Sequence, residues 1–139
     1  MLVVKAKTNK FPGHITNIEK DTIKNNYYRK VLFTTKNCQL VLMSIPPKEE
    51  IGEEVHELDQ FIRFEAGEGQ ISMDGMTRQV SNGFSIVVPE GVSHNVINIS
   101  ETEDLKLYAV YTPPQHKKDT IHKTKKEEKE EHFDGKTDL

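Results

Sequence analysis

Asp74-Gly75 stands between two short runs, residues 70–73 and 76–80, and this pair limits the fold more than any other feature of the chain. A two-residue hairpin loop needs positive φ at its central positions, and Asp-Gly supplies it at little steric cost. The rest of the stretch from 28 to 112 is punctuated in the same way. Residues 28–35 are β-branched and aromatic, Lys36-Asn37 offers a turn, and residues 38–45 form a second run that Pro46-Pro47 ends. Residues 60–65 alternate around Phe61, Ile62 and Phe64 before Gly67 and Gly69, and residues 84–88 close at Pro89-Glu90-Gly91. Two further runs, 93–98 and 105–111, complete the series. Turn signals every 8–12 residues or so predict an all-β sandwich or barrel. The one helix expected in this body covers about residues 17–24, where Thr16 and Glu19 have capping-box spacing.

At 139 residues the chain has the length of one domain. Composition changes after Pro113-Pro114: residues 115–139 hold seven Lys and seven Asp or Glu, and only Ile121, Phe133 and Leu139 are large and apolar there. We therefore read residues 1–114 as the body with a short N-terminal arm, and 115–139 as a charged tail that adds little to the core. Thr124 and Glu127 predict a short surface helix over about 125–131. The net charge of −3 gives no basic excess and argues against a nucleic-acid partner. The longest apolar stretch, residues 40–43 with Ile45 beyond, is far short of the ~20 residues of a membrane span. Leu2-Val3-Val4 is likewise shorter than the apolar region of a secretory signal, about 7–15 residues. With a single cysteine, Cys38, the expectation is a reduced, cytoplasmic setting and no disulfide framework, the thiol acting as a small buried hydrophobe.

Chemistry concentrates in two segments, 54–67 and 83–98. Residues two apart in an extended segment share a face, so Glu54, His56 and Gln60 are candidates to line one side of a site. A second imidazole, His94, comes from another run. Imidazole nitrogen and carboxylate oxygen suit divalent first-row metals, and two His with one carboxylate is a pattern of non-haem iron oxygenases. Asp59 is a candidate general acid or base beside such a site, with a turn role as the alternative. Tyr28, Tyr108 and Tyr111 are read as core packing, and His14, His116, His122 and His132 as surface histidines.

The second segment resembles the second motif of the cupins, which reads Gly, five residues, Pro, one residue, Gly, two residues, His, three residues, Asn. Gly83, Pro89, Gly91, His94 and Asn98 meet every position. The first cupin motif has two His, a Glu and a closing Gly; aligned without gaps, Glu54 takes the first His position, His56 the second, Gln60 the Glu position and Gly67 the Gly. Fifteen residues, 68–82, separate the motifs, as in compact single-domain cupins, and the likeness extends over about 28–112. The chain resembles the small cupins labelled mannose-6-phosphate isomerase-like.

The resemblance implies an all-β double-stranded β-helix barrel of jelly-roll type with a divalent metal in its mouth. The implied ligand candidates are His56, His94, Glu54 and Gln60; the carboxylate at Glu54 favours iron, manganese or zinc over copper. It also implies a small-molecule partner and pairing of two copies, which agrees with the need of a β domain to protect its edge strands. Three activities follow as expectations. One is a metal-dependent isomerase acting on a sugar or sugar phosphate, with Glu54 or Asp59 moving the proton. The second is a non-haem iron dioxygenase, and the third a non-catalytic module that binds a small ligand.

Overall fold

The computed structural model describes residues 11–128. A short helix, α1 (Ile18–Lys24), precedes nine strands: β1 (Arg29–Thr34), β2 (Gln39–Ile45), β3 (Asp59–Ala66), β4 (Glu68–Met73), β5 (Met76–Ser81), β6 (Ser85–Val88), β7 (His94–Asn98), β8 (Leu105–Thr112) and β9 (Ile121–His122). They form two antiparallel sheets, one in the order β6-β3-β8-β2-β1-β9 and the other β5-β4-β7. This is a jelly-roll pair of sheets, and the described strands do not join into a continuous closed barrel. No helix among the described residues is long and apolar enough to cross a membrane.

Strand alternation builds the core. Ile62 and Phe64 of β3, Leu105, Leu107 and Ala109 of β8, and Val41, Met43 and Ile45 of β2 are all essentially sealed from solvent. Burying each of the larger side chains stabilises the fold by about 1.5–3 kcal/mol. Ile71 of β4 and Val96 of β7 meet them from the second sheet. The Asp74-Gly75 hairpin forms as its sequence dictates: Met73 pairs with Met76, with φ 49° at Asp74 and 81° at Gly75. Between β3 and β4, Gly67 has φ 94°, and a Cβ there would sit 2.5 Å from the Asp104 carbonyl oxygen. That close approach, as well as the backbone angle, demands glycine.

The ends of the chain depart from their sequence signals. α1 is capped by Asn17, whose side chain accepts from the Lys20 N–H; Thr16 instead donates its hydroxyl to the Asp21 carboxylate. Cys38 is half-buried at the β1–β2 turn rather than in the core. Residues 115–128, set apart by composition, fold back along the first sheet. β9 pairs with β1, and Gln39 of β2 holds the crossing chain: its amide donates to the His116 carbonyl (2.8 Å) and its oxygen accepts from the N–H groups of Gln115 (3.2 Å) and His116 (2.9 Å). His116 and His122 are buried, contrary to the surface reading, because this return places them inside the sandwich. His14 is exposed, and His132 lies outside the described residues. The expected helix over 125–131 is a single 3-10 turn, Lys125–Glu127, as far as the described residues extend. Thr124 makes no side-chain cap there, and Glu127 accepts from the Lys123 N–H.

Candidate metal centre

The segment that carries Glu54 is not part of a named strand, but it runs antiparallel beside β7. Ile51 N–H donates to the Val96 carbonyl (2.9 Å), and Gly52 N–H to the Asn95 side chain (2.8 Å). Glu54 and His94 then exchange both backbone hydrogen bonds, at 2.8 and 2.9 Å. Residues paired in this way stand directly opposite and on one face. The chain turns inward at His56, whose carbonyl accepts from the Gly91 N–H (2.9 Å). So the second motif, folded around Pro89 and Gly91, anchors the first.

The result is a tight cluster. One ligand atom each from Glu54, His56 and His94 lies within 4.8 Å of the other two. His56 Nε2 is 3.3 Å from Glu54 Oε1, and the two imidazole centroids are 5.2 Å apart. Two donors on one ion at about 2.0–2.2 Å from it, in tetrahedral array, would be roughly 3.4 Å apart. Both histidines are buried. His94 Nδ1 lies 2.9 Å from the Val92 carbonyl, which can only accept, so this nitrogen carries the proton and Nε2 keeps its lone pair. That Nε2 is buried and without a hydrogen-bond partner among the described residues, and a metal ion would satisfy it. Burial works against ionised Glu54, but the hydrogen bond from His56, with the Arg29 charge behind it, outweighs it. Its carboxyl is held below the usual value and is anionic at neutral pH.

The other sequence candidates fall differently. Gln60 is buried, and it shares the inward face of β3 with Ile62 and Phe64. In the sheet it stands opposite Tyr111, whose ring centroid is 6.1 Å from that of His56. Its Oε1 is a buried acceptor with no hydrogen-bond partner. Asp59 is exposed at the start of β3 and accepts from the Glu90 N–H (2.9 Å), so it fastens the turn before β7 rather than facing the cluster. Asn98, the last residue of the second motif, is a structural knot: its amide donates to the Ile45 and Glu103 carbonyls, both at 2.9 Å, and its oxygen accepts from the Ser100 N–H.

A further polar wall was not singled out from the sequence. Arg29 of β1 is 1% exposed. Its Nη1 is 2.6 Å from Glu128 Oε2 and 3.0 Å from His122 Nδ1, and its guanidinium lies 5.1 Å from the Tyr28 ring centroid. Burial raises the Tyr111 phenol well above its usual range, even against the opposing charge of Arg29, and Tyr111 is a neutral hydroxyl at physiological pH. An inward-facing Arg two residues before Val31 is the only local signal of this wall.

The cupin domain family model matches residues 41–111 of the chain. The chain belongs to the cupin family. A structure from Bacillus halodurans is 39% identical to this cupin, with a TM-score of 0.80 over 85% of this chain and 93% of that one. An uncharacterized protein of Acanthamoeba polyphaga mimivirus is 43% identical over 74% of this cupin and 67% of its own length. The uncharacterized protein YrkC of Bacillus subtilis (strain 168) is also 43% identical, over 80% of this cupin. The chain spans 63% of that Bacillus relative.

Proposed function

We propose that Glu54, His56 and His94 hold one divalent first-row metal with open positions, and that this cupin is a metal-dependent enzyme acting on a small polar substrate there. The observation that carries the reading is the convergence of the three donors, with His94 Nε2 buried, unprotonated and without a partner. Gln60 faces the same interior as a neutral acceptor, suited to a bound water or a weak fourth ligand. When bound, the ion supplies Lewis acidity and vacant positions at which a substrate can be held.

Between the two catalytic chemistries, the donor set favours the non-haem iron class. A sugar isomerase needs a carboxylate free to move a proton, and neither candidate is available. Glu54 is engaged with His56 inside the cluster, and Asp59 is engaged with the Glu90 backbone. His94 is fixed by Val92, His56 is braced by Gly91 in the turn before β7, and neutral Tyr111 closes the interior behind His56. The test is metal content per chain in protein prepared without chelator and after reconstitution with iron, manganese or zinc. Oxygen uptake of the iron form with candidate small acids and sugars follows. About one ion per chain with substrate-dependent oxygen uptake supports the reading. A chain that takes up none of the three metals is instead a small-ligand-binding module. A homodimer formed through the sheet edges belongs to the same proposal, and a sedimentation mass of 15.9 kDa at micromolar concentration would remove it.

A further inference from the structure

Arg29 poses a physical problem that the metal centre does not explain. A guanidinium that is 1% exposed sits in the interior with one carboxylate partner among the described residues, Glu128. Burying a charge is costly unless it is paired and its donors are satisfied. Here the pairing is incomplete: Arg29 Nε is buried and has no hydrogen-bond partner among the described residues. Glu128 itself is not an interior residue. Its side chain is 31% exposed, and it stands at the end of a segment that crosses the sandwich from outside.

That segment is held almost entirely by polar contacts. β9 is two residues long. Val31 N–H donates to the Thr120 carbonyl (2.9 Å), Tyr28 N–H to the Lys123 carbonyl (3.2 Å), and Lys125 Nζ to the Glu50 carbonyl (2.7 Å). Ile121, its one large apolar side chain, is 48% exposed. With so little apolar burial, the strap is held mainly through its polar contacts, the pair with Arg29 foremost.

From these observations we infer that Arg29 is the specificity residue for an acidic substrate, and that Glu128 is the chain's own carboxylate standing in the place of the substrate's. A small carboxylate reaching Arg29 would give it two acceptor oxygens and so satisfy Nε as well as Nη1, which Glu128 does not. The strap would be released as it binds. The location agrees with this role. Arg29 stands opposite Met43 and Met43 opposite Leu107, so the guanidinium is on the same inner face of the sheet as Tyr111, whose ring is 6.1 Å from that of His56. The ligand's being a substrate rests on the metal-centre reading; the exchange of carboxylates at Arg29 does not.

The experiment uses full-length protein as purified, with metal content measured on the same samples. Succinate binding is followed by calorimetry, with succinamide as the uncharged control and inorganic phosphate as a second anion. Glu128→Gln, which keeps the shape and removes the charge, should bind succinate about tenfold or more tightly than wild type. Arg29→Lys in the Glu128→Gln background should lose that gain, since an ammonium cannot form the two-pronged pair. Trypsin gives an independent readout that needs no variant: succinate, but not succinamide, should speed cleavage at the exposed Lys123 and Lys126 by releasing the strap. Unchanged succinate affinity in Glu128→Gln, or cleavage that succinate leaves unaltered or slows, overturns the inference. Phosphate binding in preference to succinate overturns the assignment of a carboxylate. A chain that takes up none of iron, manganese and zinc on reconstitution, yet shows both succinate effects, would sink the metal reading and leave this one standing.

Discussion

The two sides of the sandwich handle their edges in opposite ways. On the β1 side the interior is polar: Arg29, His116, His122 and Gln39 are buried, and the returning chain covers them. On the β5–β6 side a groove of ≈ 570 Å³ is lined by Ile71, Met73, Phe84, Ile86 and Val92 among others, and Phe84 is 51% exposed. The metal cluster lies between them and lines neither the groove nor the strap: Met73 pairs with His94, and the Val92 carbonyl holds the His94 ring. The difference follows from the cost of exposure. An open apolar wall forgoes burial energy but leaves no unpaired charge, whereas buried charges must be paired and enclosed. So the charged end of the sequence is required where the interior is charged.

Removing the cover should break the contrast most severely. Truncation after Pro114 leaves the Arg29 charge without Glu128 and the Gln39 amide without its three partners. Stripping the partner from a buried charge costs about 3–5 kcal/mol, so the truncated chain should be insoluble or unfold at much lower denaturant. Urea unfolding that overlays the full-length curve would show the strap to be dispensable.

The centre comes next. His94→Ala should lower metal affinity by more than the ~10–100-fold expected for a supporting residue, with Gln60→Ala costing less because water can replace an amide. Elemental analysis after dialysis against trace metal reads both. Retention of a full complement of metal by His94→Ala would move the site elsewhere.

A smaller effect appears in acid. The folded-state pKa of Glu54 lies below its ordinary value of 4.5, because the hydrogen bond from His56, with the Arg29 charge behind it, favours the anion more than burial opposes it. A depressed carboxyl contributes stability that is complete above the ordinary pKa and is lost as pH falls through the folded value. In metal-free protein, the stability difference between wild type and Glu54→Gln should therefore be constant near neutrality and shrink below about pH 4.5. A difference that instead grows on acidification has the wrong sign for this arrangement.

The smallest effect is expected on the open side. Phe84→Ser removes a ring that is already half in water, and stability should change by under ~0.5 kcal/mol. A loss of several times that would mean the groove is closed by something that contributes to folding.

The features that the sequence made legible are those set by neighbours in the chain. Asp74-Gly75 announced its hairpin because positive φ at both positions is a local property. The spacing of Gly83, Pro89, Gly91 and His94 described one turn and one strand, and the fold then brings the imidazole's residue opposite Glu54. Composition misdescribed residues 115–128 because charge was taken as a sign of solvation. Their partners are distant: Gln39 holds His116 across 77 positions, and Arg29 meets His122 across 93. For Asp59 the turn role was one of the two readings, and its partner, the Glu90 N–H, is one that only the sheet brings near. The cap of α1 went to Asn17 rather than Thr16, a shift of one residue that spacing rules do not resolve.

The Glu54–His94 rung bears on more than geometry. Two of the three candidate donors are carried by one pair of reciprocal backbone hydrogen bonds, so they share a single opening event. Flexing of either side chain leaves the other donor and His56 in place, and only parting of the rung separates the two together. An ion held there would therefore stay longer where the amide protons of Glu54 and His94 exchange slowly, and a change that loosens this backbone pair would shorten both lifetimes without altering a single ligand.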